Sequence, residues 1–220
     1  MRFKNRKEAG QRLASDLKEY ANRPDVIVLA LPRGGVPVAY EVARGLDAPL
    51  DVWLVRKLGV PGQEELAMGA IASGGTRILN QDVVRSLRVS EQVIDQVAAK
   101  EQKELERREK AYRGNLPPLE LRDRTVLLVD DGLATGASMH AAAVALRQHD
   151  PKKIIAAVPV AAPETCQDVQ VEVDEIICSE TPQPFHAVGL WYDNFDQTTD
   201  QEVRDLMERS ASQQIAGSTR

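Results

Sequence analysis

The run VLLVDDGLATGAS, residues 126–138, constrains this 220-residue chain more tightly than any other stretch. Four apolar residues lead into adjacent carboxylates at Asp130 and Asp131. A short loop of small and hydroxyl residues follows, and residues 139–148 then have helical composition. Strand, loop and helix succeed one another without a break. A continuous apolar strand belongs to a parallel sheet buried on both faces, and ligands of such sheets bind beyond the carboxyl ends of the strands. Both acids stand at that end.

Two ionised acids side by side are poor ligands for phosphate but good acceptors for vicinal hydroxyls such as those of a ribose, and they suit a hydrated magnesium ion. The loop that follows has the opposite preference. Gly136 permits close backbone approach, Thr135 and Ser138 supply hydroxyls, and the amides from Ala134 through Ala137 can turn toward an anion at the start of the next helix. Carboxylates for a sugar beside amides for its phosphate describe a holder for a ribose 5-phosphate. A turn joining a strand to a helix explains Gly136 alone, but not the buried strand and the paired acids. A phosphate loop of the GxxxxGK[ST] type is excluded by the spacing from Gly132 to Ser138 and by the missing lysine.

These residues resemble the phosphoribosyl-pyrophosphate (PRPP) signature of type I phosphoribosyltransferases. The resemblance implies an α/β fold: a doubly wound, mainly parallel sheet flanked by helices, with a small β flap and a C-terminal hood. It also implies Mg2+ as cofactor, held through PRPP and water near Asp130 and Asp131 with no direct protein ligand. PRPP and a small nitrogenous base are the implied substrates, and a homo-oligomer, in the simplest case a dimer, is the implied assembly.

Length and composition agree with such a fold. At this size a domain buries about 70% of its unfolded surface, and a chain 43% apolar and 28% charged is that of a globular protein. No run of 18 apolar residues and no signal peptide occur, so a cytoplasmic protein without membrane contact is expected. The net charge of −5 gives no general footprint for nucleic acid. Cys166 and Cys178 lack metal-site spacing and are expected to be buried structural side chains.

Residues 4–22 read as an amphipathic helix and residues 26–31 as the first buried strand. Pro32-Arg33-Gly34-Gly35 follows at once, where two glycines let backbone crowd a ligand and Arg33 can neutralise it. In the resembled family the loop at this place binds pyrophosphate, which assigns Arg33, Gly34 and Gly35 to that group. Residues 49–57 form a second strand ending in Arg56-Lys57. Residues 58–65 read as a polar loop, and two short strands then flank Gly74-Gly75, so that residues 58–80 form the flap. The family's mobile loop lies near here, which implicates Lys57, and with it Arg56, at the pyrophosphate leaving group. A solvated strand end is the plainer reading of the same pair.

Residues 81–114 are helix-forming, with Ser90 as N-cap and a later part whose alternating charges suggest a solvated face. The core domain is read as 1–182, the hood as 183–210 and residues 211–220 as a frayed tail. Four of the nine aromatics lie in residues 185–195. Such a cluster is more often core than a ligand box, and here it can be both, since a flat base needs a stacking face. This segment looks like the hood of purine phosphoribosyltransferases, implying Phe185, Val188, Trp191 and Asp193 as base-binding residues. One extra residue separates Phe185 from Val188, which leaves the stacking role open between Phe185 and Trp191. Ala134 is a further departure, because hypoxanthine-guanine enzymes carry an acid there and adenine-type enzymes an alanine. His186 or Asp193 could take over the proton.

The expected reaction is transfer of ribose 5-phosphate from PRPP to a nitrogen nucleophile, with release of pyrophosphate; the implied context is purine salvage. Lys57, Arg33 and Asp131 are its expected catalytic residues. The competing class is a PRPP-sensing regulator with little catalysis, which the acidic composition and the lack of a helix-turn-helix ahead of residue 22 disfavour.

Overall fold

The computed structural model describes residues 2–114 and 116–217, the side chains through residue 214. Among these residues eight strands occur in chain order. They are β1 (Val26–Ala30), β2 (Leu50–Val52), β3 (Val55–Val60), β4 (Gln63–Ala72), β5 (Thr76–Leu79), β6 (Thr125–Val129), β7 (Lys153–Val160) and β8 (Glu175–Glu180). The helices are α1 (Arg6–Asp16), α2 (Gly35–Leu46), α3 (Gln81–Ser86), α4 (Glu91–Arg113), α5 (Ala137–Arg147), α6 (Pro163–Val169) and α7 (Asp200–Gly217).

Five strands form a wholly parallel sheet in the order β2-β1-β6-β7-β8, and helices cover both faces. All five residues of β1 and all five of β6 are buried, as continuous apolar strands require. Val28 pairs with Leu127 and Ala30 with Val129, so β1 and β6 end level with each other and release their following loops at the same edge. No described helix is long and apolar enough to cross a membrane.

The second strand is shorter than residues 49–57. Parallel pairing of β2 with β1 ends at Val52 opposite Ala30, where β1 itself stops. Without a partner the chain leaves the main sheet and enters an antiparallel sheet of order β3-β4-β5. Residues 58–65 are accordingly not a loop. They are the closed end of the β3–β4 hairpin, turning at Pro61-Gly62, where Gly62 has φ +79°. Gly59 lies so close to Glu64 that an added Cβ would stand 2.6 Å from the Glu64 carbonyl oxygen. This flap packs against α5.

The helix-forming segment after the flap divides into α3 and α4, and the Ser90 hydroxyl caps α4 by accepting from the Val93 amide at 3.4 Å. Helix α4 packs on β3 and α7. The C-terminal segment also differs from its sequence reading. Helix α7 runs on to Gly217, through residues expected to fray, and residues 218–220 lie outside the described residues. Val203 and Met207 anchor its first half in the main core. Cys166 on α6 and Cys178 on β8 are not separate side chains but are joined as a disulfide, because α6 packs on β8.

Candidate functional site

Asp130 and Asp131 emerge from β6 at the carboxyl edge of the sheet. The Asp131 amide donates to the Asp130 Oδ1 at 2.8 Å, which ties the two acids into one turn. Arg6, from the start of α1, donates Nε to the Asp131 Oδ2 at 2.8 Å. The two side chains are only 12% and 14% exposed, so this ion pair is largely shielded from solvent. The Arg6 guanidinium also lies 3.9 Å over the Phe195 ring, and Tyr192 donates its hydroxyl to the Asp131 carbonyl at 2.6 Å. Burial, then the charge of Asp131, pushes the Asp130 carboxyl well above its ordinary range. Burial raises Asp131 too, against the pull of Arg6.

The loop at Pro32-Arg33-Gly34-Gly35 lies directly on these acids. The Leu31 amide donates to the Val129 carbonyl at 2.9 Å and holds the loop at the end of β6. A Cβ on Gly34 would stand 2.0 Å from the Asp131 Oδ2, and one on Gly35 would stand 2.8 Å from the Val129 carbonyl oxygen and 2.9 Å from the Asp130 Cα. A side chain at Gly35 would press on backbone, whereas one at Gly34 would have to displace the Asp131 carboxylate. Arg33 turns to Asp200 on α7, Nη1 to Oδ1 at 3.4 Å, and the Tyr112 hydroxyl donates to the same oxygen at 2.7 Å. That hydrogen bond from Tyr112 leads the causes holding Asp200 below its ordinary range.

After the acids, Leu133 and Gly136 are buried, whereas Ala134, Thr135, Ala137 and Ser138 are exposed. Gly136 has φ +69°, and a Cβ there would meet the Thr165 and Val169 methyls at 2.9 Å. Only glycine suits both the backbone and the space. The Thr165 hydroxyl donates to the Ala134 carbonyl at 2.7 Å, so α6 braces the loop from beneath. No described side chain caps α5, which leaves its first amides to a ligand.

Asp130, Ser138, Arg56 and Pro32 line one cavity, with Arg108 of α4 on its wall. Arg56 and Ser138 also line an adjoining groove of about 490 Å³, together with Lys57, Gly59 and Lys100. Lys57 is exposed, and Arg56 is held by Glu101 of α4 at 2.6 Å. Lys57 and Arg56 stand within the flap strand β3 rather than at the end of a core strand.

In the hood, Val188 packs against Gly132, whose added Cβ would lie 2.6 Å from the Val188 Cγ1. Phe185, Val188 and Trp191 pack around Phe3, Val160 and Tyr192. Asp193 is exposed and faces Arg2 at 3.5 Å. Sequence reasoning missed Arg6, Tyr192, Asp200 and Arg108. Arg6 and Asp131 are 125 residues apart and carry no local signal of pairing.

The architecture, a five-stranded parallel sheet flanked by helices with a small antiparallel sheet beside it, is the type I phosphoribosyltransferase fold. A family model described as phosphoribosyl transferase domain matches residues 2–190, and the chain belongs to that family. It is 45% identical over 208 residues to the protein named "Putative phosphoribosyl transferase Rv0571c" of Mycobacterium tuberculosis (strain ATCC 25618 / H37Rv). The match covers 94% of this chain and 47% of that protein. The same figures hold for "Putative phosphoribosyl transferase MT0597" of strain CDC 1551 / Oshkosh. The chain thus spans about half the length of the curated relatives it matches. The crystal structure of TT1426 from Thermus thermophilus is similar at 41% identity and a TM-score of 0.83, covering 95% of this chain and 99% of that one. AQ2163 from Aquifex aeolicus shares the fold at 15% identity and a TM-score of 0.50, with 84% and 78% covered.

Proposed function

We propose that this chain transfers ribose 5-phosphate from PRPP to a nitrogen nucleophile, a nucleobase, and releases pyrophosphate. The observation that carries this reading is the seating of Gly34 and Gly35 on Asp130 and Asp131. A tight glycine backbone, an acid pair and an uncapped helix start lie together at one sheet edge, which supports reading them as holders of pyrophosphate, ribose and 5-phosphate.

In this reading the amides of Ala134 through Ala137 and the hydroxyls of Thr135 and Ser138 hold the 5-phosphate. Asp130 and Asp131 accept from the two ribose hydroxyls, with Arg6 fixing the Asp131 carboxylate. The Gly34 and Gly35 amides, Arg33, Arg56 and Lys57 take the pyrophosphate. The bond from the anomeric carbon to the pyrophosphate oxygen breaks, its electron pair leaves with that oxygen, and a bond to the base nitrogen forms. The proton displaced from the base passes to the departing pyrophosphate or to water. The centre between these events is oxocarbenium-like, so charge stabilisation rather than a covalent nucleophile is needed.

Asp130 and Asp131, whose charged forms burial disfavours, suit a Mg2+ held beside them through PRPP and water, which when bound would neutralise charge on the pyrophosphate. Phe185, Val188 and Trp191 provide the base-side wall, and the buried Trp191 indole N–H has no hydrogen-bond partner among the described residues. Asp193 reaches a base only by leaving Arg2.

The test is a panel of nucleobases incubated with Mg-PRPP and scored for nucleotide and pyrophosphate. One base is expected to give both products. PRPP binding with no product from any base would overturn the transferase reading and mark a sensor of PRPP.

A further inference from the structure

We infer that Arg108, carried on α4, is an additional arginine of the pyrophosphate end of the proposed PRPP site; the inference rests on that site assignment. The alternating charges of α4 conceal a regular stripe. Ile94, Ala98, Glu101, Leu105, Arg108 and Tyr112 recur at alternating spacings of four and three, which puts all six on one helix face. Ile94, Ala98, Leu105 and Tyr112 are buried, so this face presses on the domain. A stripe built for packing carries two charged residues, and both turn toward the candidate site. Glu101 holds Arg56, and Arg108 lines the cavity shared with Pro32, Arg56, Asp130 and Ser138.

Arg108 is held so that it can be released. Its Nε donates to the Glu104 Oε1 at 2.7 Å, one turn back on the same helix. Arg107, on the exposed side, grips the same carboxylate with two hydrogen bonds of 2.8 and 2.9 Å. Glu104 therefore remains paired when Arg108 turns to another anion. Arg33 is kept in the same way, since Asp200 retains the Tyr112 hydroxyl when Arg33 leaves. A guanidinium presents a planar fork that matches two phosphate oxygens at once. A doubly phosphorylated leaving group offers several such oxygens, whereas the 5-phosphate is served by the amides of residues 134–138.

The experiment titrates wild type, Arg108→Ala, Arg108→Lys and Lys103→Ala with Mg-PRPP and, separately, with ribose 5-phosphate, after a thermal melt of each. Lys103 is an exposed cation on the same helix and controls for loss of charge. Arg108→Ala should weaken PRPP at least about tenfold, as loss of a charge-assisted hydrogen bond implies, and leave ribose 5-phosphate binding unchanged. Arg108→Lys should fall between, and Lys103→Ala should match wild type. Unchanged PRPP affinity in Arg108→Ala, or equal weakening of both ligands, overturns the inference alone. Failure of wild type to bind PRPP overturns the transferase reading and the inference with it.

Discussion

Gly35→Ala is the most instructive perturbation, because helix propensity and site geometry predict opposite signs for it. Gly35 opens α2, where alanine is ordinarily favoured by up to about 1 kcal/mol. Here the new Cβ would stand 2.8 Å from the Val129 carbonyl oxygen and 2.9 Å from the Asp130 Cα, both backbone atoms at the end of a buried strand. Ordinary contact requires the loop and strand to part by about half an ångström, and overpacking of this kind costs about 1–3 kcal/mol. The net expectation is a loss of about 1–2 kcal/mol, a fall in Tm of about 2–8 °C for a chain of this size. The same displacement separates the pyrophosphate cradle from the acids, and misplacement on that scale should lower kcat/KM for PRPP at least about tenfold. Gly34→Ala makes a useful companion. Its Cβ meets only the Asp131 carboxylate, so it should turn that group away from Arg6 and weaken PRPP with little strain on the backbone. Thermal melts and Mg-PRPP titrations of both variants are the assay. A Gly35→Ala chain that melts higher than wild type and binds PRPP normally would refute the seating of this loop on the acid pair.

Lys57→Ala should cut turnover at least about tenfold while leaving Tm unchanged, because the side chain is exposed and its proposed partner is the departing anion; near-wild-type turnover removes Lys57 from the mechanism. Arg6→Gln leaves the shielded Asp131 carboxylate without its counter-charge, so denaturant unfolding should show a loss of about 1–3 kcal/mol, limited by proton uptake at Asp131. An unchanged midpoint contradicts the pair. Stability should also report the acids directly. Their folded pKa values lie above the ordinary carboxylate range, so between that range and the folded values the native state binds more protons than the unfolded one. The pair's contribution therefore rises as pH falls from neutral and declines as pH rises. Asp130→Asn should flatten that component of the wild-type profile and raise stability at neutral pH; identical profiles contradict the assignment.

The parts of this site that lie in one run of chain are legible in the sequence itself. Asp130, Asp131, Thr135, Gly136 and Ser138 follow a buried strand, and a strand end, an acid pair and a helix start are local consequences of sequence. The loop at Arg33 is legible for the same reason. What escapes is what depends on distant packing. Arg6 meets Asp131 only because α1 packs on α2, β7 and β8 with its start beside Asp131, and Arg108 faces the cavity only because α4 lays its buried stripe on the flap and α7. Its charge alternation hides that stripe, since Glu101 and Arg108 break the apolar pattern at the positions that face the site. The polar composition of residues 58–65 suggests a loop, but antiparallel pairing with their own hairpin partner decides otherwise. The anchoring of α7 by Val203 and Met207 in the main core is likewise a matter of tertiary packing.

The central claim is that Asp130 and Asp131 form a ribose-binding pair for PRPP, and calorimetric titration of wild type and Asp131→Asn with Mg-PRPP tests it most directly. One PRPP should bind per wild-type chain, and Asp131→Asn should bind it at least about tenfold more weakly, since the substitution removes a charge that the magnesium-bound ligand meets while keeping the shape of the side chain. Equal affinities in the two proteins would contradict the claim.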